Sequence, residues 1–462
     1  MVGMRFATDL RHQFEELAEG TSRSRGSLVT GGPASARRHR WLAVAAVTAV
    51  AATAAAILVF AHQGDRPQRQ VVADSRAAMG KLPPPASAVG VVIWALTIDG
   101  AGRPWLSGDR GDGRQPFVAY LDAGRWVQVP APAGAETLRS IAVFSADDLW
   151  APVAGGFVHW DGAAWHKSPV PWLDGNEAGI EDMAALSTAD IWAVGHEKGK
   201  LFKTPGDGPG EYTQGSRPLT MHWDGTAWRK VTVPAMPARD SSLDAVSSRD
   251  GETWAVGRRE QKTGEQAQQS GPPIELMHAS PTALRWDGDR WVAMSLPEPG
   301  ARGAALGDVL VLAQDDVWVL GWAYAGDESA AHDETVSTYV AHWDGVGWER
   351  IPTPRGSAWG SFSSITGSGD ADIWLGGTGD GVGYAETAHW DGTQWTVYSP
   401  AQFGEDSGAA GGTGIPEIVS SSPTNVWFDA GFTRCWADDS RPPDPVLYRW
   451  DGRGWTKVDV PF

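Results

Sequence analysis

One block of seven residues, HWDG-x-x-W, returns along this chain and limits what it can fold into. It reads HWDGAAW from His159, HWDGTAW from His222, RWDGDRW from Arg285, HWDGVGW from His342, HWDGTQW from His389 and RWDGRGW from Arg449. A decayed copy, YLDAGRW, starts at Tyr120. Ahead of each copy stands a short run built on one tryptophan: Trp105, Trp150, Trp192, Trp254, Trp318, Trp374 and Trp427, in segments such as DIWAVG and DVWVLG. Both series count to seven and alternate strictly. Self-similarity at such a period belongs to propellers and solenoids.

Each unit parses into four short apolar runs separated by turn residues. In the unit from Leu138 they are LRSIAVFS, LWAPVA, FVHW and AWHKSPV, strands a, b, c and d in chain order, with Ala-Asp-Asp and Asp-Gly in the gaps. Bulky and β-branched residues mark strands, and Asp-Gly between two strands marks a tight hairpin. Four antiparallel strands per unit, seven units and no helical periodicity predict an all-β fold, a seven-bladed β-propeller of four-stranded antiparallel blades. The phase predicts that blade 1 opens at Val91 with VVIWALTI and blade 7 closes with WTKVDVP. Each blade is then contiguous, and blades 1 and 7 meet through side-chain packing alone.

The "VW-V" run leading into "RWDG" and a closing Trp resembles tectonin-like repeats from about Val89 to Phe462. It is also similar to membrane-anchored propeller proteins of high-GC bacteria, which carry HWDG-x-x-W with a DxWAVG run. The resemblance implies the same fold and, because tectonin-like proteins include lectins, carbohydrate binding. The units are longer than compact tectonin repeats, so no binding residue transfers by position.

Ahead of the repeats, residues 1–40 read as a cytoplasmic tail with a short amphipathic run on Phe6, Leu10, Phe14 and Leu17 and a Ser-, Gly- and Arg-rich remainder. Residues 41–61 are uncharged over 21 positions, enough helix at about 1.5 Å per residue to cross a hydrocarbon core of about 30 Å. Arg37, Arg38 and Arg40 precede the span, which places the N-terminus inside and the propeller outside. The alternative is a secreted form, cleaved after a signal sequence near Ala61. Residues 62–88, with Pro67, Pro83, Pro84 and Pro85, read as a linker.

Charge narrows the partners. Residues 1–61 carry seven Lys/Arg against four Asp/Glu, a net of +3, which leaves −21 of the overall −18 for the rest. So acidic a domain repels nucleic-acid phosphate and favours cationic partners or Ca²⁺. One cysteine, Cys435, excludes an intrachain disulfide and a thiolate zinc site. GTGDGVG from Gly377 and GDGPGE from Gly206 are incomplete as Ca²⁺ loops and read as turns. SRDGETW, Ser248 to Trp254, resembles an Asp-box but lacks the residue that box has between Asp and Gly. No cofactor is expected. The repeated His159, His222, His342 and His389 lie on the third strand from the axis of separate blades, about 10 Å outside the inner strand at about 4.8 Å per strand. They cannot converge on one ion, and Arg or Tyr at the equivalent place points to structural hydrogen bonding.

In an antiparallel blade the connectors between strands b and c, and from d to the next a, emerge on one face of the ring. Here those connectors are long, as at His196 to Leu219, Arg258 to Thr282, Trp322 to Tyr339 and Gly431 to Val446, while the others are short. Long connectors in a compact fold are where function gathers. Of 26 tryptophans, 20 belong to the repeats and read as blade packing. Trp172, Trp322, Trp359 and Trp436 fall in or beside the long connectors and are the candidate ligand-binding residues, suited to sugar stacking or protein anchoring. The leading reading is a membrane-anchored, extracytoplasmic binding module for a glycan, a cell-wall polymer or a protein. The alternatives are a carboxylate-dependent glycoside hydrolase or lyase drawing on Asp174, Glu177, Asp182, Asp327, Asp333, Glu334, Asp438 and Asp439, and a sensor signalling through residues 1–40. No nucleophile elbow, P-loop, dinucleotide fingerprint or HExxH helix appears, and no catalytic or metal residue is assigned.

Overall fold

The structure, a computed structural model, describes residues 91–460 except 111–114, 135–136, 174–177, 203–212, 237, 239, 268–273, 298–302, 326–334, 354–360, 379–384, 399–415 and 433–444. The tail, the apolar span at 41–61 and the linker at 62–88 lie outside the described residues. So do Cys435, most of GTGDGVG and all of GDGPGE. Among the described residues no helix is long and apolar enough to cross a membrane.

The described chain forms seven separate four-stranded antiparallel sheets, each made of four consecutive strands. They are blades 1 to 7, at residues 91–129, 142–169, 178–231, 240–294, 304–351, 361–398 and 417–458. Blade 1 opens with Val91–Ile98 and blade 7 ends with Trp455–Val458, so the phase read from the sequence holds and no strand is exchanged between blades. The ring is an all-β seven-bladed propeller.

Seven apolar clusters hold it together, each straddling two successive blades. The tryptophan of strand b is the centre of each seam. Trp150 of blade 2 lies 4.7 Å and 5.9 Å, ring to ring, from Trp223 and Trp228 of blade 3. Trp192 lies 4.7 Å and 4.9 Å from Trp286 and Trp291 of blade 4. Trp254 and Trp374 meet the Trp pairs of blades 5 and 7 in the same way. Such pairs add about 0.5–1.5 kcal/mol beyond their area burial. The last seam packs Trp427 of blade 7 with Trp126 and Leu121 of blade 1.

Side-chain packing is not all that closes the ring. The Trp126 indole N–H donates to the Asp459 carbonyl at 2.9 Å, Asn425 donates to the Gly102 carbonyl at 2.8 Å, and the Leu96 amide donates to the Glu417 carboxylate. A chain that joins end to start without strand exchange leaves backbone polar groups at the seam, and these bonds satisfy some of them.

The repeated histidines make a clamp inside each blade. Nε2 of His159, His222, His342 and His389 lies 2.8–2.9 Å from Asp148, Asp190, Asp316 and Asp372. Each imidazole stacks on the strand-b tryptophan of its own blade, with ring centres 4.2–4.5 Å apart. In blade 4 Arg285 takes this place, paired through two 2.9 Å bonds with Glu252, and in blade 1 Tyr120 stacks on Trp105 at 4.4 Å. The position is structural, as its alternation among His, Arg and Tyr implied.

Candidate functional site

The two faces of the ring differ. On the lower face each Asp-Gly turn closes on itself: Asp161 Oδ1 accepts the Ala163 and Ala164 amides at 2.9 and 2.7 Å, and Asp224, Asp287, Asp344, Asp391 and Asp451 repeat the pattern. These amide bonds hold the Asp161, Asp344 and Asp451 carboxyls below the ordinary carboxylate range. Gly162, Gly225, Gly345 and Gly452 press on the neighbouring a–b turn so closely that a Cβ would collide with it. That face is sealed by repetition.

The upper face carries the long connectors, and part of their length is sheet. In blade 3, Asp190–Phe202 pairs with Thr213–Trp223. In blade 4, Glu252–Ala267 pairs with Ile274–Trp286. The segments from His196 to Leu219 and from Arg258 to Thr282 are therefore hairpin arms standing on the ring and not irregular loops. Their polar, two-sided strands lack the apolar alternation that announces a strand. SRDGETW is the a–b hairpin of blade 4, with Asp250 and Gly251 both at positive φ (51° and 85°), a turn and nothing more.

Around the axis the inner strands bulge where they approach the upper face: the register slips past Trp94, Glu181, Asp244, Gly307 and Ser363. A bulge re-aims its side chain. The side chains of Trp94, Glu181 and Asp244 meet strand b of their own blades, while Ser363 donates to the Pro416 carbonyl at 3.0 Å. Trp94 Nε1 donates to Asp109 at 2.7 Å, Glu181 pairs with His196 at 3.0 Å, and Asp244 pairs with Arg258 at 3.0 Å. Arg139 of the blade 1–2 connector lies over the Trp94 ring at 4.6 Å. Burial is the largest single influence on Glu181 and pushes it up, but the His196 hydrogen bond together with the charges of His196 and Arg139 brings the net shift down. Asp244 is pushed up by burial despite Arg258.

One residue further on stand three acids, in blades 3, 5 and 7. Asp182 accepts the Val246 amide of blade 4 at 2.9 Å, Asp308 the Ile365 amide of blade 6 at 2.7 Å, and Glu417 the Leu96 amide of blade 1. Each therefore ties its blade to the next. Desolvation raises Asp182 to about 6, Asp308 to about 7 and Glu417 well above its ordinary value, with mutual repulsion adding to the last two. The seam between blades 6 and 7 uses hydroxyls instead: Thr366 Oγ1 accepts the Ser420 amide at 2.9 Å.

The four candidate tryptophans do not share one place. Trp172 lies in a one-turn 3₁₀ helix, Pro171–Leu173, between blades 2 and 3, and is 42% exposed. Buried Leu173 pins that turn, and the Leu173 amide bonds the Val170 carbonyl at 2.9 Å. Beside Trp172 runs a groove of about 390 Å³ across the upper edge of blade 3, lined by Trp172, Ala178, Glu197, Lys198, Arg217 and Lys230. Lys230 Nζ sits 5.5 Å from the centre of the Trp172 ring and pairs with Glu197, which also takes Arg217 at 3.3 Å. Trp322 lies in strand b of blade 5, partly buried across Gly307, where a Cβ would strike the indole. Trp359 and Trp436 lie outside the described residues. Of the eight acids offered for catalysis only Asp182 is described, and it is an inter-blade cap.

Sequence reasoning passed over the groove cations and the bulge residues. The signal for the bulge was an acid set among apolar residues of the inner strand, as Glu181 after Ile180 in AGIEDMAALS and Asp244 between Leu243 and Ala245 in DSSLDAVSSR.

No family model and no curated protein matches this chain. Among solved structures it is similar to YCF48 bound to a D1 peptide, at 14% identity over 78% of this chain and 94% of that one, with a TM-score of 0.45. It is similar to the extracellular domain of a one-component system from B. thetaiotaomicron at 10% identity, 82% and 40% coverage and a TM-score of 0.43. It is also similar to a GH74 xyloglucanase from Xanthomonas campestris at 16% identity, 73% and 47% coverage and a TM-score of 0.43. The chain spans less than half the length of the last two.

Proposed function

We propose that this protein is a binding module whose upper face holds a glycan, a cell-wall polymer or a protein, and that it is not an enzyme. The observation that carries this reading is the contrast between the faces. One is closed by repeated turns, and the other presents Trp172 on a pinned turn beside an open groove. A rigid exposed aromatic with charged neighbours is a recognition element that costs little to order on binding. The acids near the axis argue against hydrolysis, because Asp182, Asp308 and Glu417 accept inter-blade amides and Glu181 and Asp244 are paired within their blades. Residues 41–61 supply the anchor, with the propeller outside.

Calorimetric titration of the full chain with cell-envelope glycans and with peptides is the test. Saturable binding without product formation, lost in Trp172→Ala, is the expected result. Turnover of a glycan by the wild type, abolished in Glu181→Gln or Asp244→Asn, would replace this reading with the hydrolase.

A further inference from the structure

We propose that the Trp172 groove is a subsite for an acidic saccharide, a sugar ring that carries a carboxylate. This rests on the upper face being the binding face and goes on to name the ligand chemistry at one place on it.

Three observations converge. First, among the described residues Arg217 and Lys230 line the groove against Glu197, which leaves one positive charge in excess there on a chain whose net charge is −18. A cationic patch on so acidic a surface selects anions from solution by contrast with its surroundings. Second, Glu197 stands between Lys230 and Arg217 and pairs with both, so the two cations are held in place before any ligand arrives. Arg217 keeps most of its side chain exposed, 63%, and a guanidinium fork matches a carboxylate through two parallel bonds. Third, Trp172 offers a flat apolar surface on a turn fixed by Leu173 and by the amide of Val170, which bonds the Gly155 carbonyl at 2.7 Å. A pyranose ring has one apolar C–H face, which stacks on such an indole, and a hydroxylated edge, which suits the charged wall.

The volume, about 390 Å³, falls at the small end of the ~300–1,000 Å³ range of small-ligand sites. Ala178 and the indole are the apolar parts of the lining, so the groove has no pocket for the side chains of an acidic peptide. A sugar needs none.

The test is calorimetry on the full chain with oligogalacturonate, its fully methyl-esterified form, and oligoglutamate, for the wild type, Trp172→Ala and Arg217→Gln. Both substitutions are at exposed side chains, and an unchanged unfolding temperature serves as the control. The acid should bind at least about tenfold more tightly than the ester, the size of one charge-assisted hydrogen bond. Arg217→Gln should remove that difference, Trp172→Ala should weaken both sugars, and added salt should weaken the acid alone. Equal affinity for acid and ester, or tighter binding of oligoglutamate, overturns the acidic-saccharide assignment and leaves the binding face standing. Uronate binding indifferent to both substitutions overturns the site. If none of these probes nor any envelope glycan or peptide binds, the binding-module reading fails as well.

Discussion

At the scale of single residues, the aspartate two places before a strand-b tryptophan carries more than its position on a turn suggests. Asp372 accepts from His389 at 2.9 Å, from the Trp374 indole at 3.0 Å and from Ser368, and Asp316 serves His342 and Trp318 alike. Asp372→Ala leaves a buried indole N–H without a partner, so it should cost about 1–3 kcal/mol in denaturant unfolding. Asp372→Asn, which keeps one acceptor, should cost less. This clamp was half legible. The interchange of His, Arg and Tyr in the repeat pointed to structural hydrogen bonding. Its partner was not legible, because an Asp in a turn needs no explanation beyond the turn. The groove residues were hidden for a similar reason: Arg217 and Lys230 sit in ordinary polar strand positions, and only the fold sets them beside Trp172.

Among elements, the glycine that ends WAVG and WVLG explains the inner-strand bulge. Gly108, Gly195, Gly257 and Gly321 stand three residues after their tryptophans, and a Cβ on any of them would collide with a carbonyl oxygen of the inner strand. The bulge lets the two backbones approach there, and it turns Trp94, Glu181 and Asp244 toward the partners that line the axis. Gly321→Ala should therefore destabilise the ring by more than the ~1 kcal/mol typical of a point substitution, read as a lower denaturant midpoint. Gly454→Ala, which meets nothing within 4 Å, is the control. The four-strand unit was readable because short apolar runs, buried through the middle in the strand that carries the tryptophan, are separated by turn residues. The hairpin arms of blades 3 and 4 were not, since polar runs such as GRREQKTGEQA carry no hydrophobic period to detect.

For the molecule as a whole, stability should follow pH with two opposite slopes. Asp182 at about 6 and Asp308 at about 7 lie above the unfolded value near 3.8. Between about pH 4 and 7 the folded ring thus binds more protons than the unfolded chain, and stability falls as pH rises through that window. Asp99 and Asp372 are shifted below the ordinary value, so their stabilisation is lost as pH falls below about 4. Thermal unfolding should therefore come at a higher temperature at pH 5 than at pH 8, and Asp308→Asn should flatten the difference. Removing residues 455–462 takes away Trp455 and the Asp459 carbonyl that receives Trp126. Circular dichroism of that truncated chain should show a broadened, less cooperative melt. Every blade is woven from one continuous stretch, so the seam between blades 7 and 1 is built like the other six except that no peptide crosses it. Circular permutation should therefore be tolerated: a gene reopened at another blade boundary, with the old ends spliced, would still encode the same wheel.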